Sequence, residues 1–179
     1  KKNNSDICFT NYWINKNNDI SLFRKSFKFE NLKKEILNNY PIGILTVVMK
    51  SNIFFEKNFY FSNDYNIIGD FDLFFRLSEK FKFSCLDQPL ATYFVHNQNL
   101  SIRDLDIEIN EFDNWILKNK KAIYSYENNV IQKNCIRKCN YLYNQKKLSF
   151  SSMELKKIEN FKIRLKFFLK LILQKFNLR

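Results

Sequence analysis

The sequence predicts a mixed α/β domain followed by a helical extension, and three observations support this. Runs of branched and aromatic residues alternate with helix-spaced apolar residues over the first hundred positions, and only helical spacing occurs after Asp104. With 179 residues, 45% of them hydrophobic, the chain can bury one sizeable core and a small appendage.

Residues 7–14 (I-C-F-T-N-Y-W-I) read as a strand, and the Asn-rich stretch 15–19 as a turn. Leu32, Ile36 and Leu37 have helical spacing over 32–39, and Pro41 ends that helix after Tyr40. The run 42–49 is apolar and branched enough for a buried strand. Gly43 at its start serves either a close approach or a plain turn. A short helix is expected at 52–58. Ile67-Ile68 then reads as the end of a strand, and 73–81 as a helix with Leu73, Phe74, Leu77 and Phe81 on one stripe. Residues 83–86 are apolar, Asp87-Gln88-Pro89 reads as a turn, and 91–95 as a strand that delivers His96.

Beyond Asp104, the spacing of Leu105, Ile109, Phe112 and Ile116 gives one helix, and 130–143 gives another. A last helix over 155–178 places Leu165, Phe168, Leu169, Ile172, Leu173 and Phe176 on one side, with Lys166, Lys170 and Gln174 opposite. Phe167 and Leu171 widen its apolar side. Two uses are open to it: covering the domain's own core, or lying at an anionic membrane surface. The resulting organisation is 1–100, 101–150 and 151–179.

The formal charge is +12, but residues 151–179 carry half of it, with eight Lys or Arg against two Glu. The rest is spread among Asn, Ile and Phe, and the aromatics interleave with Ile and Leu as core residues do. Nucleic acid is therefore not the expected partner. Two glycines in the whole chain argue against a Gly-rich phosphate loop. Four scattered cysteines with one histidine and no C-x-x-C argue against a zinc site and for reduced thiols, with Cys85 a small buried apolar residue. No apolar run reaches the roughly 18 residues of a spanning helix. The chain opens on Lys1-Lys2-Asn3 without an initiating Met, so a preceding N-terminal part is expected.

Chemistry, if present, concentrates in 67–96, where two aspartates, an arginine and the only histidine lie together. An Asp beside Gly69 at a helix start suits a general base, and a His after a strand suits a metal or phosphate. Each also has an ordinary structural use. Asp70 or Asp72 can cap the helix, Asp72 and Arg76 form an i,i+4 pair, and a lone His is usually structural.

Four pieces together resemble the C-terminal half of a family 2 glycosyltransferase with the GT-A fold, of the bacterial surface-polysaccharide type. They are N-Y-W-I-N-K at 11–16, Y-P-I-G-I-L-T-V-V-M-K at 40–50, I-G-D-F-D-L-F-F-R-L at 68–77 and P-L-A-T-Y-F-V-H at 89–96. The resemblance implies a Rossmann-like mixed sheet and an inverting sugar transfer from a nucleotide-sugar donor to a saccharide or lipid-linked acceptor. It makes Asp70 the catalytic base, with Asp72 and Arg76 as supporting groups or Asp72 as an alternative base. It places the substrate-side loop at Gly43 and Thr46, and gives His96 a share in holding a divalent cation, Mg or Mn.

Departures are visible. Gly69 stands where an acidic residue often precedes the base, and Phe94 where the family often has Arg. The donor-binding half and its Asp-x-Asp do not occur upstream of residue 40. The resemblance thus implies a partial, cytoplasmic enzyme, peripheral at the inner face of the plasma membrane. The alternative is a degenerate homologue acting as a non-catalytic membrane- or protein-binding module.

Overall fold

The computed structural model describes residues 4–28, 30–145 and 147–175, and the chain divides into two compact units, Lys1–Arg103 and Asp104–Arg179. The first is mixed α/β and the second helical. The second unit takes 101–150 and 151–179 together, apart from the first three residues.

In the first unit every sheet pairing runs through β1 (Ile7–Lys16). β1 turns into β2 (Asp19–Leu22) through Asn17 and Asn18, whose φ angles of 53° and 67° give the left-handed pair that a two-residue antiparallel hairpin favours. α1 (Leu32–Asn39) begins where the Asn31 side chain accepts from the Lys34 amide, and it buries Ile36 and Leu37. β3 (Val48–Met49) is antiparallel to the start of β1, and the short α2 (Asn52–Phe55) follows. α3 (Gly69–Ser78) is covered on nearly every side, with Phe71, Leu73, Phe74, Phe75 and Leu77 all buried. β4 (Phe83–Val95) lies parallel to β1 along its whole length, and α4 (Leu100–Arg103) ends the unit.

Three expectations for this unit are corrected. Residues 42–49 are not one buried strand. Thr46 closes a 3-10 turn, Ile44–Thr46, by bonding through Oγ1 to the carbonyls of Gly43 (2.8 Å) and Thr10 (3.1 Å), so only Val48–Met49 reaches β1. No strand ends at Ile67-Ile68, because the Ile68 carbonyl already accepts from the Asp72 amide at 3.0 Å as the first acceptor of α3. Asp87-Gln88-Pro89 is not a turn between two strands but part of β4, and Cys85 beside it is only half-buried.

The register explains that last case. Leu86 is opposite Thr10, Pro89 opposite Asn11 and Ala91 opposite Tyr12, so β4 carries extra residues on both sides of Pro89. Proline lacks the amide that an undisturbed ladder needs, and a bulge is where a strand accommodates it. Asn11 is fully buried there. Its Nδ2 donates to the Arg24 carbonyl at 2.7 Å and its Oδ1 accepts from the Tyr12 amide at 3.0 Å. Both bonds lie on the β2 side of the strand, where the Tyr12 carbonyl also accepts from the Phe23 amide, while the Asn11 carbonyl accepts from the Thr10 hydroxyl at 2.9 Å.

The helical unit comprises α5 (Leu105–Ile123), α6 (Glu127–Asn144), α7 (Leu148–Leu155) and α8 (Phe161–Lys175). One of its cores joins Cys135 and Cys139 of α6 to Leu155, Ile158, Phe167 and Leu171. All four cysteines of the chain are free, and burial pushes the Cys139 thiol up to about 12. The single helix expected over 155–178 is broken. Gln132 donates to the Lys157 carbonyl (3.0 Å) and accepts from the Glu159 amide (2.8 Å), holding a turn that inserts Ile158 into the core. Asn160 then starts α8 by accepting from the Ile163 amide at 3.2 Å. Phe176 of the expected stripe lies outside the described residues.

Asn11→Ala leaves the Arg24 carbonyl and the Tyr12 amide without their partner inside the fold. The expected loss is about 2 kcal/mol, read as a lower denaturant midpoint at unchanged m-value. A change under about 0.5 kcal/mol contradicts this role of the Asn11 side chain.

Candidate active site

Asp70 sits in the first turn of α3, where unsatisfied amides and the helix dipole favour a carboxylate. Its Oδ1 accepts from the Phe71 amide at 2.7 Å, and its Oδ2 accepts from the Tyr40 hydroxyl at 2.9 Å. Tyr40 is in place because α1 ends at Asn39 and Pro41 prevents its continuation, and its ring meets Phe71 edge-on at 5.6 Å. The carboxyl is half-buried. Burial pushes its pKa above the ordinary carboxylate value, against the Tyr40 hydroxyl and the backbone amides, which pull it down. Burial and the Asp70 charge together push the Tyr40 phenol well above its usual range, so Tyr40 is the donor of that bond.

A second phenol belongs to the same electrostatic group. Tyr12 is raised to about 12, first by burial and then by Tyr93 and Asp70, with Arg24 opposing. Its ring stacks on Phe23 at 4.4 Å and meets Tyr93 edge-on at 6.5 Å. Gly43 makes room for that ring, since a Cβ there would lie 2.5 Å from Tyr12 Cε1. Beside Tyr40 opens a cavity of about 520 Å³ lined by Phe23, Arg24, Lys25, Ser26, Asn39 and Tyr40. Arg24 Nη1 pairs with Glu35 at 2.9 Å, its Nη2 donates to the Asn39 carbonyl at the end of α1, and its guanidinium lies over Phe23 and Phe27. The loop carrying these residues is held to β4 by the Phe27 amide, which donates to Asp87 at 2.6 Å.

The structure thus brings Asp70 and Gly43 to one aromatic cluster and leaves other expected residues outside it. Thr46 is buried and spends its hydroxyl on the backbone of Gly43 and Thr10. Asp72 is 5% exposed and ion-paired with Arg76, which also donates to the Tyr60 carbonyl at 2.8 Å and ties the preceding loop to α3. His96 lies three residues beyond Tyr93, about 10 Å further along β4 at ~3.3 Å per residue. It is exposed, and its Nδ1 accepts from the Gln98 amide at 3.2 Å, which leaves Nε2 for a ligand. No three His, Cys, Asp or Glu gather to hold a metal ion among the described residues, so the residues present do not by themselves make a cation site.

Tyr12, Tyr40, Arg24 and Lys25 did not stand out as site residues in the sequence, because nothing local joins residues so far apart to Asp70. The one local hint was Pro41, which fixes where α1 must release Tyr40. No family model, curated protein or solved structure matches the chain.

Two glycine variants separate the packing roles. Gly43→Ala should cost about 1–3 kcal/mol, since the stacked Tyr12 ring has little room to give. Gly69→Ala meets only Phe61 at 3.6 Å, an ordinary contact, and should leave stability equal or slightly higher. Equal denaturation midpoints for the two would contradict the fit of Tyr12 against Gly43.

The raised Asp70 pKa also fixes the sign of a pH effect. A carboxyl that holds its proton more tightly folded than unfolded penalises the fold at pH above its folded pKa, and the penalty fades as pH falls through that value. Asp70→Asn keeps an acceptor for only one of the Tyr40 hydroxyl and the Phe71 amide, a cost that does not depend on pH. The Tm of the variant relative to wild type should therefore rise between acid, below the ordinary value of 3.8, and neutral pH. A relative Tm that falls over that interval would give Asp70 the opposite shift.

Proposed function

We propose that the chain is the acceptor-side half of an inverting glycosyltransferase of the family 2, GT-A type, acting on a nucleotide-sugar donor. The observation that carries this reading is the Asp70 carboxylate, half-buried at a helix start and oriented by Tyr40, which lines an open cavity. The mixed α/β architecture of the first unit and the four resembling segments support it.

Asp70 accepts the proton of an acceptor hydroxyl as that oxygen attacks the anomeric carbon from the face opposite the leaving nucleoside diphosphate. Inversion follows from the single displacement. A carboxylate of ordinary pKa is a weak base near neutrality, and burial strengthens this one. Tyr40 holds the second oxygen of the carboxylate, which fixes the direction of the first. Among the residues lining the cavity, Arg24 and Lys25 favour an acceptor that bears negative charge, such as a phosphate- or lipid-diphosphate-linked saccharide. Proton removal and acceptor placement are the steps assigned to this chain, on the cytoplasmic side where nucleotide sugars are made.

The test is release of nucleoside diphosphate by the complete gene product over a panel of nucleotide sugars and acceptors. Asp70→Asn should lower kcat at least ~100-fold with the fold intact by circular dichroism. Activity retained within a few-fold would remove the base from Asp70 and overturn the reading.

A further inference from the structure

We infer that α8 is an interfacial helix that lies on an anionic lipid surface, with one of its two apolar stripes embedded and the other holding it to the bundle. At 3.6 residues per turn, Ile163, Phe167 and Leu171 share one side, and they pack on the core of Cys135, Cys139, Leu155 and Ile158. Phe161, Leu165, Phe168, Leu169 and Leu173 share the other side. Each of these five is between 42% and 64% exposed, although all are large and apolar.

Charge selects the occupant. Residues 161–175 contain five Lys or Arg and no Asp or Glu. Lys162 and Lys166 border the exposed stripe on one edge and Arg164 on the other, all exposed, where their charges would meet headgroups while their stems extend along the apolar surface. Lys170 is different. Its ammonium lies over the rings of Tyr143 and Phe167, inside the bundle. An apolar stripe bordered by cations matches an anionic membrane better than a neutral protein groove, which would gain nothing from the borders.

Length agrees with lying rather than spanning. Fifteen residues at ~1.5 Å each reach about 22 Å, short of the roughly 30 Å hydrocarbon layer, and no described helix is long and apolar enough to cross a membrane. The inference is independent of the transfer reaction proposed above.

The experiment is cosedimentation of the 179-residue chain with vesicles of phosphatidylcholine alone and of phosphatidylcholine with about one-third phosphatidylserine at low salt. The expected result is binding to the anionic vesicles, at least ~10-fold weaker to the neutral ones and weakened by salt. Leu165→Gln with Phe168→Gln, at exposed positions, should abolish binding with unchanged helicity and Tm. Lys162→Glu with Lys166→Glu should lower it at least ~10-fold. Absence of binding by the wild-type chain, or binding that the Gln pair leaves unchanged, overturns the inference. So does a concentration-dependent dimer dispersed by the same Gln pair, which would give the stripe to a second copy.

Discussion

β1 must satisfy three strands with two edges, and the break in its register at Asn11 is what the first unit is organised around. One edge serves β4 throughout, and the other is divided between β3 at its start and β2 at its end. Were β4 to run in even register, Pro89 would interrupt the ladder with no compensation. The bulge absorbs the proline, the Thr10 hydroxyl donates to the Asn11 carbonyl, and the Asn11 side chain, at 0% exposure, bonds on the β2 side of the strand. Because that side chain grips the Arg24 carbonyl, it positions the loop from Phe23 to Phe27, and with it much of the cavity wall. A fault in the sheet is thus the fixed point from which the cleft is built.

Asp70 is poised between opposed influences of similar kind. The start of α3, the Phe71 amide and the Tyr40 hydroxyl all favour its charged form, while burial disfavours it more strongly. A carboxylate left in water would be a poorer base, and one fully buried would be protonated and out of reach. The surrounding phenols are raised by the same burial and by the Asp70 charge, so they remain donors and do not compete for its proton. Asp72, two residues on, has the same chemistry in the sequence but is spent on Arg76. The difference between the two aspartates is one of direction on the helix, since alternate residues of a helix face apart.

This contrast marks how far the sequence could be read. α1 is legible from the spacing of Leu32, Ile36 and Leu37 and from the stop at Pro41, whereas the Asn31 cap is seen only in the structure. The start of α3 is partly legible: Gly69-Asp70 reads as a junction, but the apolar Ile67-Ile68 reads as a strand end, although the Ile68 carbonyl accepts the first bond of the helix. The 42–49 run failed because Thr46 bonds to Thr10, 36 residues away, and a hydrophobic run carries no sign of that. β4 was divided at Pro89 for a sound local reason that a tertiary bulge overrides. Asp70 and Gly43 were found from local pattern, whereas Tyr12, Tyr40 and Arg24 reach the cleft only through pairing and loop placement.

The terminal segment shows the same limit from another side. Its apolar residues occupy too much of the helix circumference for one hydrophobic face, so periodicity pointed to a stripe without saying what it covers. Gln132 and Ile158 decide part of this by breaking the segment and seating α8 on the α6 core through Ile163, Phe167 and Leu171. Core packing and membrane contact, which compete if there is a single face, become compatible once there are two. The cations then sort by environment: Lys170 rests over aromatic rings in the bundle, and Lys162, Arg164 and Lys166 border the outer stripe. A helix required only for the core would have no reason to carry large apolar residues on its outer side.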